Sequence, residues 1–293
     1  MTIVEVKRQK TLKTQIGCSG IALHSGSQAT LTLKPAKPGF GVRINRTDLV
    51  NGAREILVSW RNVVDTSLAT TIGNNHGTKV GTIEHLMAAL AGCEIDNVLI
   101  EVNGPEIPIM DGSAAPFVFL IENAGIEIQD APRSAIKILK PIKVVDGKRS
   151  LSVSPSTHFR INFEIDFTST IISCQKGELS RLGHTFKTEI SRARTFGFEK
   201  DVDELRNAGL ALGGSLENAV VISDDKILNE EGLRYDDEFV RHKILDCIGD
   251  LYLAGAPIIG HVNANLSGHE LNNKLLHAVF ADDSAWCSVT PSV

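Results

Sequence analysis

The sequence predicts an α+β protein built from two similar halves, each with strands that lead into a helix. Apolar and polar residues alternate in both parts of the chain, as in ATLTLK at 29–34 and FRINFEIDF at 159–167, which is typical of half-buried strands. A second observation is a repeated order of helix, Gly, apolar strand and Val-Asn, found at 84–103 and again at 242–263. Two such halves facing each other would bring the two helices together.

The domain boundary is predicted at QDAPRS (129–134), which is polar and contains proline. We therefore predict a first α+β domain over 1–128, a linker over 129–135 and a second α+β domain over 136–293. A chain of 293 residues is long enough for two ordinary domains.

Composition limits the classes of function. The net charge of -5 and the lack of a basic run argue against nucleic acid as a partner. The five cysteines have no CxxC spacing, which fits unpaired thiols in a reducing compartment. There is neither a signal-peptide core nor an apolar run of membrane-spanning length. We expect a cytoplasmic protein, a monomer by default, for which peripheral contact with a membrane stays open.

The first half is predicted as strands followed by two helices. A glycine-punctuated loop at 17–26 carries Leu23 and His24, and a lone histidine in such a loop is more often structural than a ligand. A second loop is expected over 70–81. The remaining predicted elements are strands at 29–34, 41–46, 56–64 and 95–102 and helices at 81–92, with Thr82 as N-cap, and at 117–124.

The second half follows the same plan. Asp236 and Asp237 are predicted to cap a helix over 236–255, and a further helix opens at 267. The predicted strands of this half lie at 136–145, 150–153 and 159–167.

The helix at 236–255 carries His242, Asp246 and Asp250 four residues apart. An imidazole and a carboxylate at i and i+4 project from the same side of a helix, so one metal ion can contact both. The alternative is a solvated acidic face, which is common on amphipathic helices.

The helix at 81–92 carries Glu84 and His85 in its first turn. Adjacent helical residues diverge by about 100°, so His85 would bind a metal while Glu84 reaches a neighbouring water. The alternative is a carboxylate favoured by the helix dipole beside an incidental histidine.

Two later segments add candidate groups. EISRARTFGF at 189–198 combines two arginines, a threonine and two aromatic residues, which fits either anion binding or a capped helix start. His269 stands at the start of the last helix, where the helix dipole lowers its pKa and a carboxylate such as Asp250 would raise it. An imidazolium whose pKa is held near neutral pH by these opposing effects suits a general acid.

Four long motifs, in this order, closely resemble one enzyme family. They are TIEHLMAAL (82–90), SRARTFGF (191–198), LRYDDEFVRHKILDCIGDL (233–251) and SGHELNNKLL (267–276). The family is that of the UDP-3-O-acyl-N-acetylglucosamine deacetylases of lipid A (lipopolysaccharide) biosynthesis in Gram-negative bacteria. The resemblance implies two similar two-layer α/β sandwich domains with the active site between them.

The resemblance also implies a role for each candidate residue. It assigns metal binding to His85, His242 and Asp246, the general base to Glu84, and the acid or cationic stabiliser to His269. The other implied residues are Asp250 as partner of the acid, Thr195 at the oxyanion, Phe196 and Lys243 at the sugar, and Leu23 and His24 near the site.

The implied reaction is hydrolysis of the N-acetyl amide of UDP-3-O-acyl-N-acetylglucosamine, which releases acetate. Water on a His/His/Asp-bound zinc would be activated by Glu84, and ferrous iron could replace zinc in the cell. The resemblance further implies an insert that lines an apolar passage for the acyl chain, expected around 167–185. It also implies a basic residue that is either Lys148 or Arg149.

Two rival functions stay open. One is a metal-dependent hydrolase for a different N-acyl sugar, which would not need the 3-O-acyl chain for full rate. The other is a non-catalytic sensor of nucleotide sugars or acyl chains, which would have no use for Glu84 and His269.

Overall fold

A computed structural model describes residues 6–50, 53–167, 171–223 and 226–291, and these form an α+β fold. Its α-helices are few beside its strands. They are α1 (Glu84–Gly92), α2 (Ala115–Ala124), α3 (Glu199–Asn207), α4 (Glu238–Tyr252) and α5 (His269–Phe280). A 3₁₀ turn at Trp60–Asn62 and a π-helical turn at Phe186–Ile190 complete the helical elements of the described ranges.

The strands group into six sheets within the described residues. Those of the first half are β1 (Arg8–Leu12), β2 (Ile16–Ile21), β3 (Gln28–Pro35), β4 (Val42–Arg46), β5 (Glu55–Leu57), β6 (Val63–Asp65), β7 (Thr71–Gly73), β8 (Lys79–Val80), β9 (Val98–Val102) and β10 (Ile126–Pro132). Those of the second half are β11 (Ala135–Ile138), β12 (Ile142–Asp146), β13 (Arg149–Ser154), β14 (Arg160–Asp166), β15 (Cys174–Ser180), β16 (Phe196–Phe198), β17 (Val220–Ile222), β18 (Ile258–Ile259), β19 (His261–Asn265) and β20 (Trp286–Val289).

The two main sheets have the same topology. The order is β2-β3-β9-β4-β5 in the first and β12-β13-β19-β14-β15 in the second. In each sheet the central strand is antiparallel to one neighbour and parallel to the other. In each half a helix precedes the central strand and another follows it, α1 and α2 around β9 and α4 and α5 around β19. The repeated plan that the sequence indicated is therefore present in the fold.

Helices α1 and α4 pack against each other at the centre of the molecule. Every residue of α1 is buried, which fits its run of apolar side chains. The helices approach so closely at Gly249 that a Cβ atom there would lie 2.0 Å from the carbonyl oxygen of Glu84. Glycine at this position therefore lets the two helices that carry the candidate ligands touch through their backbones.

Several predicted loops and strands need correction. The segment 17–26 contains most of β2, and 70–81 contains the short strands β7 and β8, because backbone pairing organises both segments despite their glycines. The strand predicted over 56–64 is divided by the 3₁₀ turn at 60–62, and the one over 136–145 is broken at 139–141, where Pro141 cannot donate to a ladder.

The predicted helix caps are only partly right. Thr82 is not an N-cap: its φ is +54°, the helix begins at Glu84, and the Thr82 hydroxyl donates to Glu106 instead. Asp237 occupies the N-cap position of α4, as predicted, but it makes no capping hydrogen bond, because its carboxylate pairs with Arg241 one turn along the helix.

The segment predicted as an insert belongs to the main sheet. Within 167–185, β15 pairs along its whole length with β14, while residues 168–170 lie outside the described residues. A separate β16-α3-β17 unit instead stands apart from both main sheets, with β16 and β17 parallel. The part of the expected insert at 174–180 is therefore a strand of the main sheet, and which segment lines an acyl passage stays a prediction.

The proposed linker at 129–135 overlaps β10, which pairs with β1, and ends where β11 begins. The division of the chain into domains at this point stays a prediction. All five cysteines are unpaired, as expected. Within the described residues, no helix combines the length and the apolar character that a membrane span requires.

Candidate metal centre and active site

His85, His242 and Asp246 form a compact cluster where α1 meets α4. The Nε2 atoms of His85 and His242 lie 3.5 and 3.3 Å from Oδ1 of Asp246. All three side chains are buried, and one donor atom from each lies within 4.8 Å of the others. The third member of the cluster, His85, thus comes from α1 in the other half and joins the i, i+4 pair on α4, as the sequence predicted.

His242 is neutral, as a metal-binding histidine has to be. Burial lowers its pKa to about 4, although the charge on Asp246 opposes this shift, so the imidazole is neutral near pH 7. Its Nδ1 lies 3.0 Å from the carbonyl oxygen of Ala193 and donates to it. The lone pair of Nε2 is therefore directed at the cluster, an arrangement common among metal-binding histidines.

The hydrogen-bond partners of Asp246 indicate whether a cation fits the cluster. Its Oδ2 accepts from Nζ of Lys243 at 2.6 Å, while its Oδ1 is buried without a hydrogen-bond partner among the described residues. Although burial opposes ionisation, His242 and Lys243 hold the pKa of Asp246 well below its usual range. A buried anionic oxygen without a donor is costly unless a cation binds it. Two imidazoles and one carboxylate are also the donor set of catalytic zinc sites with an open position.

Glu84 stands beside the cluster at the start of α1. Its Oε2 accepts from the backbone N–H of Thr70 at 3.0 Å. Burial raises the pKa of Glu84, while the charges of nearby histidines oppose that rise. The preceding turn is fixed by the Thr82 hydroxyl, which donates to Glu106 at 2.8 Å.

His269 faces Glu84 from the start of α5. Its Nε2 lies 3.9 Å from Oε1 of Glu84, and its Nδ1 lies 2.8 Å from Oδ2 of Asp250. Burial alone would lower the pKa of His269, but the charge of Asp250 and their hydrogen bond, with Glu84, raise it to about 9. The imidazole is therefore protonated near neutral pH, as a general acid requires.

A cavity of about 300 Å³ unites nearly all the residues predicted to form the site. Of those residues, only Asp250 does not line it, because it lies behind His269. The predicted residues that line the cavity are Leu23, His24, Glu84, His85, Thr195, Phe196, His242, Lys243, Asp246 and His269. The roles assigned to them stay predictions, but the structure brings them to one place.

Sequence reasoning missed other residues at this site. Phe167 lines the cavity, and its ring meets that of Phe196 edge-on at 5.7 Å between centroids. Thr70, Glu106 and Asn272 each hold a site residue or its loop by a hydrogen bond. No residue pattern singled these out, although Asn272 lies within the motif at 267–276 that carries the family resemblance.

A second cavity of about 550 Å³ adjoins the first and shares Lys243 and His269 with it. Of the two candidates for the implied basic residue, Arg149 lines this cavity and Lys148 does not, while the role of either stays a prediction. Arg149 pairs with Asp146 and lies 3.2 Å from Glu270. Its two cationic side chains already pair with carboxylates, Lys243 with Asp246 and Arg149 with Asp146 and Glu270, so an anion bound here would share them with those partners.

The arginines of the segment 189–198 do not form an anion site. Arg194 is buried and donates to Glu238 and Glu231, with Nε 2.9 Å from Oε1 of Glu238. Arg192 stacks on the ring of Tyr235. The anion-binding interpretation is thus wrong for Arg194, whose guanidinium is already neutralised inside the protein.

A larger cavity of about 790 Å³ lies at the second main sheet and the start of α4. Its lining is polar and includes Lys143, Asn162, Asn263 and Arg241 but none of the metal-ligand candidates. The cavity of about 300 Å³ is the better candidate for the active site, because it holds the buried titratable groups with perturbed pKa values.

The chain is similar to known proteins over most of its length. The family described as UDP-3-O-acyl N-acetylglycosamine deacetylase matches residues 9–281. A UDP-3-O-acyl-N-acetylglucosamine deacetylase of Myxococcus xanthus is 53% identical over 278 residues, which cover 95% of this chain and 88% of the relative. Proteins of the same name from Haemophilus influenzae (strain 86-028NP) and Acidithiobacillus ferrooxidans are 52% and 50% identical, and the matches cover 97% and 95% of this chain and 93% and 92% of theirs.

Proposed function

This chain belongs to the UDP-3-O-acyl N-acetylglycosamine deacetylase family, and from that premise we propose how its own residues carry out the deacetylation. The proposed reaction is metal-dependent hydrolysis of the N-acetyl amide of a 3-O-acylated UDP-N-acetylglucosamine. The observation that carries the metal dependence is the buried His85, His242 and Asp246 cluster, in which Asp246 Oδ1 has no donor among the described residues. An early place in lipid A biosynthesis and a cytoplasmic location are parts of the same proposal.

His85, His242 and Asp246 would hold the metal, and zinc is the ion that this donor set favours, with ferrous iron as the alternative. A divalent cation bound there would act as a Lewis acid and lower the pKa of a bound water. Lys243 stabilises the charge on Asp246 through its hydrogen bond to Oδ2, which leaves Oδ1 for the cation. The Nδ1–H bond of His242 to Ala193 keeps its other nitrogen directed at the same point.

Glu84 acts as the general base. It takes a proton from the water whose oxygen adds to the acetyl carbon, and its raised pKa makes the carboxylate a stronger base once ionised. The hydroxyl of Thr195 donates to the oxyanion that develops on the former carbonyl oxygen. Thr195 lines the cavity with the metal-ligand candidates, and its backbone is held by hydrogen bonds with Gly112 and Val220.

His269 acts as the acid. Its protonated imidazole stabilises the developing negative charge, and its proton goes to the glucosamine nitrogen as the C–N bond breaks and acetate leaves. A pKa raised to about 9 keeps the proton available throughout the neutral range. Asp250 fixes the ring by accepting from Nδ1.

The remaining residues of the site would bind the substrate. Phe196 contributes an apolar surface beside the ligand cluster and, with Leu23 and His24, encloses the sugar and its acyl group. Lys243 and Arg149 face the adjoining cavity, where they would contact the diphosphate alongside their carboxylate partners. Binding energy from these remote groups would orient the amide for attack.

Acetate release from 3-O-acylated UDP-N-acetylglucosamine tests this proposal. Release that a chelator abolishes and zinc restores is the expected result, and an anaerobic add-back of ferrous iron compares the two metals. The same sugar nucleotide without the 3-O-acyl chain should react more slowly. No release from folded, zinc-loaded protein would refute the proposed reaction, and equal rates on both substrates would favour a hydrolase for other N-acyl sugars.

The pH dependence should depend on Asp250. Because its charge and hydrogen bond raise the pKa of His269 to about 9, wild-type kcat/KM should fall as the pH rises through that value. Asp250→Asn removes the charge, so the pKa of His269 falls and the alkaline limb moves to lower pH by about one unit or more. A pH profile of kcat/KM measures this, with Asp282→Asn as a distant control. An alkaline limb that stays in place would mean that His269 is not the acid.

A further inference from the structure

Thr70 lies between the two groups to which we assign proton transfer. It is buried, and its backbone N–H donates to Oε2 of Glu84 at 3.0 Å. Its hydroxyl donates to Oδ1 of Asp250 at 2.5 Å. One residue thus contacts both the base and the partner of the acid.

Both oxygens of the Asp250 carboxylate accept hydrogen bonds. Its Oδ2 accepts from Nδ1 of His269 and from the side-chain amide of Asn272, each at 2.8 Å. Asn272 is itself held by the hydroxyl of Ser267 at 2.9 Å. Because Oδ2 is bonded on the α5 side, the hydroxyl of Thr70 is the contact that fixes the other oxygen and therefore the rotation of the carboxylate.

The backbone of Thr70 is tied to the start of α1 at two points. Besides the bond from its N–H to Glu84, its carbonyl oxygen accepts from the N–H of Ile83 at 3.3 Å. β7 begins at the next residue, Thr71, and pairs with β6 and β8. Thr70 therefore has a position set by the first half of the chain, while Asp250 and His269 belong to the second.

We propose that Thr70 is a positioning residue that holds the base and the acid at a fixed distance across the two halves. Its backbone orients Glu84, and its hydroxyl orients His269 by acting through Asp250. This inference rests on the proposed deacetylation, in which Glu84 and His269 handle protons on the same amide.

Thr70→Val removes the hydroxyl and keeps the size, the branching and the backbone N–H. We expect kcat to fall by about 10- to 100-fold, as is typical when a supporting hydrogen bond at a catalytic site is lost. KM should change by less than about twofold, because the interaction matters in the transition state rather than in binding. Zinc content should be unchanged, since the hydroxyl contacts no metal ligand. Thr70→Ser retains the hydroxyl and should recover most of the rate.

A matched control is Thr11→Val. Thr11 is also buried in the first half, and its hydroxyl donates to the carbonyl oxygen of Asn97 at 2.7 Å, away from the site. Both valine variants should lose thermal stability, but only Thr70→Val should lose turnover. An equal loss of kcat in the two variants would reduce Thr70 to an ordinary core residue and overturn the inference.

A double-mutant cycle with Asp250→Ala decides whether Thr70 acts through Asp250. If it does, Thr70→Val should change kcat by less than about twofold in the Asp250→Ala background. Losses that multiply would show independent action and overturn the inference.

The wild-type protein in the same assay separates the two proposals: an active wild type with a fully active Thr70→Val variant refutes only the role of Thr70. An inactive wild type refutes the deacetylation and this inference with it.

Discussion

Glu84→Gln is expected to lower kcat by about 10²- to 10⁴-fold, the usual contribution of a general base. The amide keeps the shape of the side chain and can still accept from the N–H of Thr70, but it cannot take a proton. Because Glu84 is not one of the three clustered ligands, the variant should bind zinc as the wild type does. Steady-state kinetics and metal analysis of the same preparation measure both quantities.

The matched control for this variant is Glu122→Gln. Glu122 lies on α2, where its exposed carboxylate pairs with Lys187 and lines neither of the two cavities at the site. Its rate should stay at the wild-type value. Near-normal turnover of Glu84→Gln would remove Glu84 as the base, and loss of zinc from it would make Glu84 a ligand or an essential support of one.

The architecture was predictable from the sequence because its signals are local and repeated. Apolar and polar residues alternate in β3 and β14 because one face of each strand is buried. The repeated helix–Gly–strand order reflects two sheets with the same topology. The i, i+4 spacing on α4 likewise determined that His242 and Asp246 would share a side. Only the packing of α1 on α4, which Gly249 allows, adds His85 to them.

What the sequence could not predict depends on contacts between distant segments. Thr82 has the residue type of an N-cap, yet Glu106 on another loop takes its hydroxyl, so the local preference is overridden. Arg194 looked like an anion-binding residue until the fold placed Glu238 against it. The Thr70 hydroxyl donates to Asp250, which lies 180 positions away in the chain, and no short stretch of sequence can indicate such a partner.

His242→Ala is expected to abolish both zinc binding and turnover. The substitution removes one of three ligands and the Nδ1–H bond to Ala193, so the two remaining ligands are left without their fixed geometry. A ligand that binds only the folded state stabilises it by about 2.7 kcal/mol at 100 times its Kd. Zinc should therefore raise the Tm of the wild type, and this rise should be absent in the variant. The shift in Tm is a readout that does not require turnover.

His277→Ala separates this effect from the loss of any helical histidine. His277 is exposed on α5, where its ring meets Trp60 edge-on, and it lines neither cavity at the site. The control should keep its zinc content, its zinc-dependent rise in Tm and its rate. If His242→Ala also kept its zinc, the buried cluster would not be the metal centre. Oδ1 of Asp246 would then depend on the ring nitrogen of His85, 3.5 Å away, as its partner, because a buried carboxylate oxygen without any partner is costly.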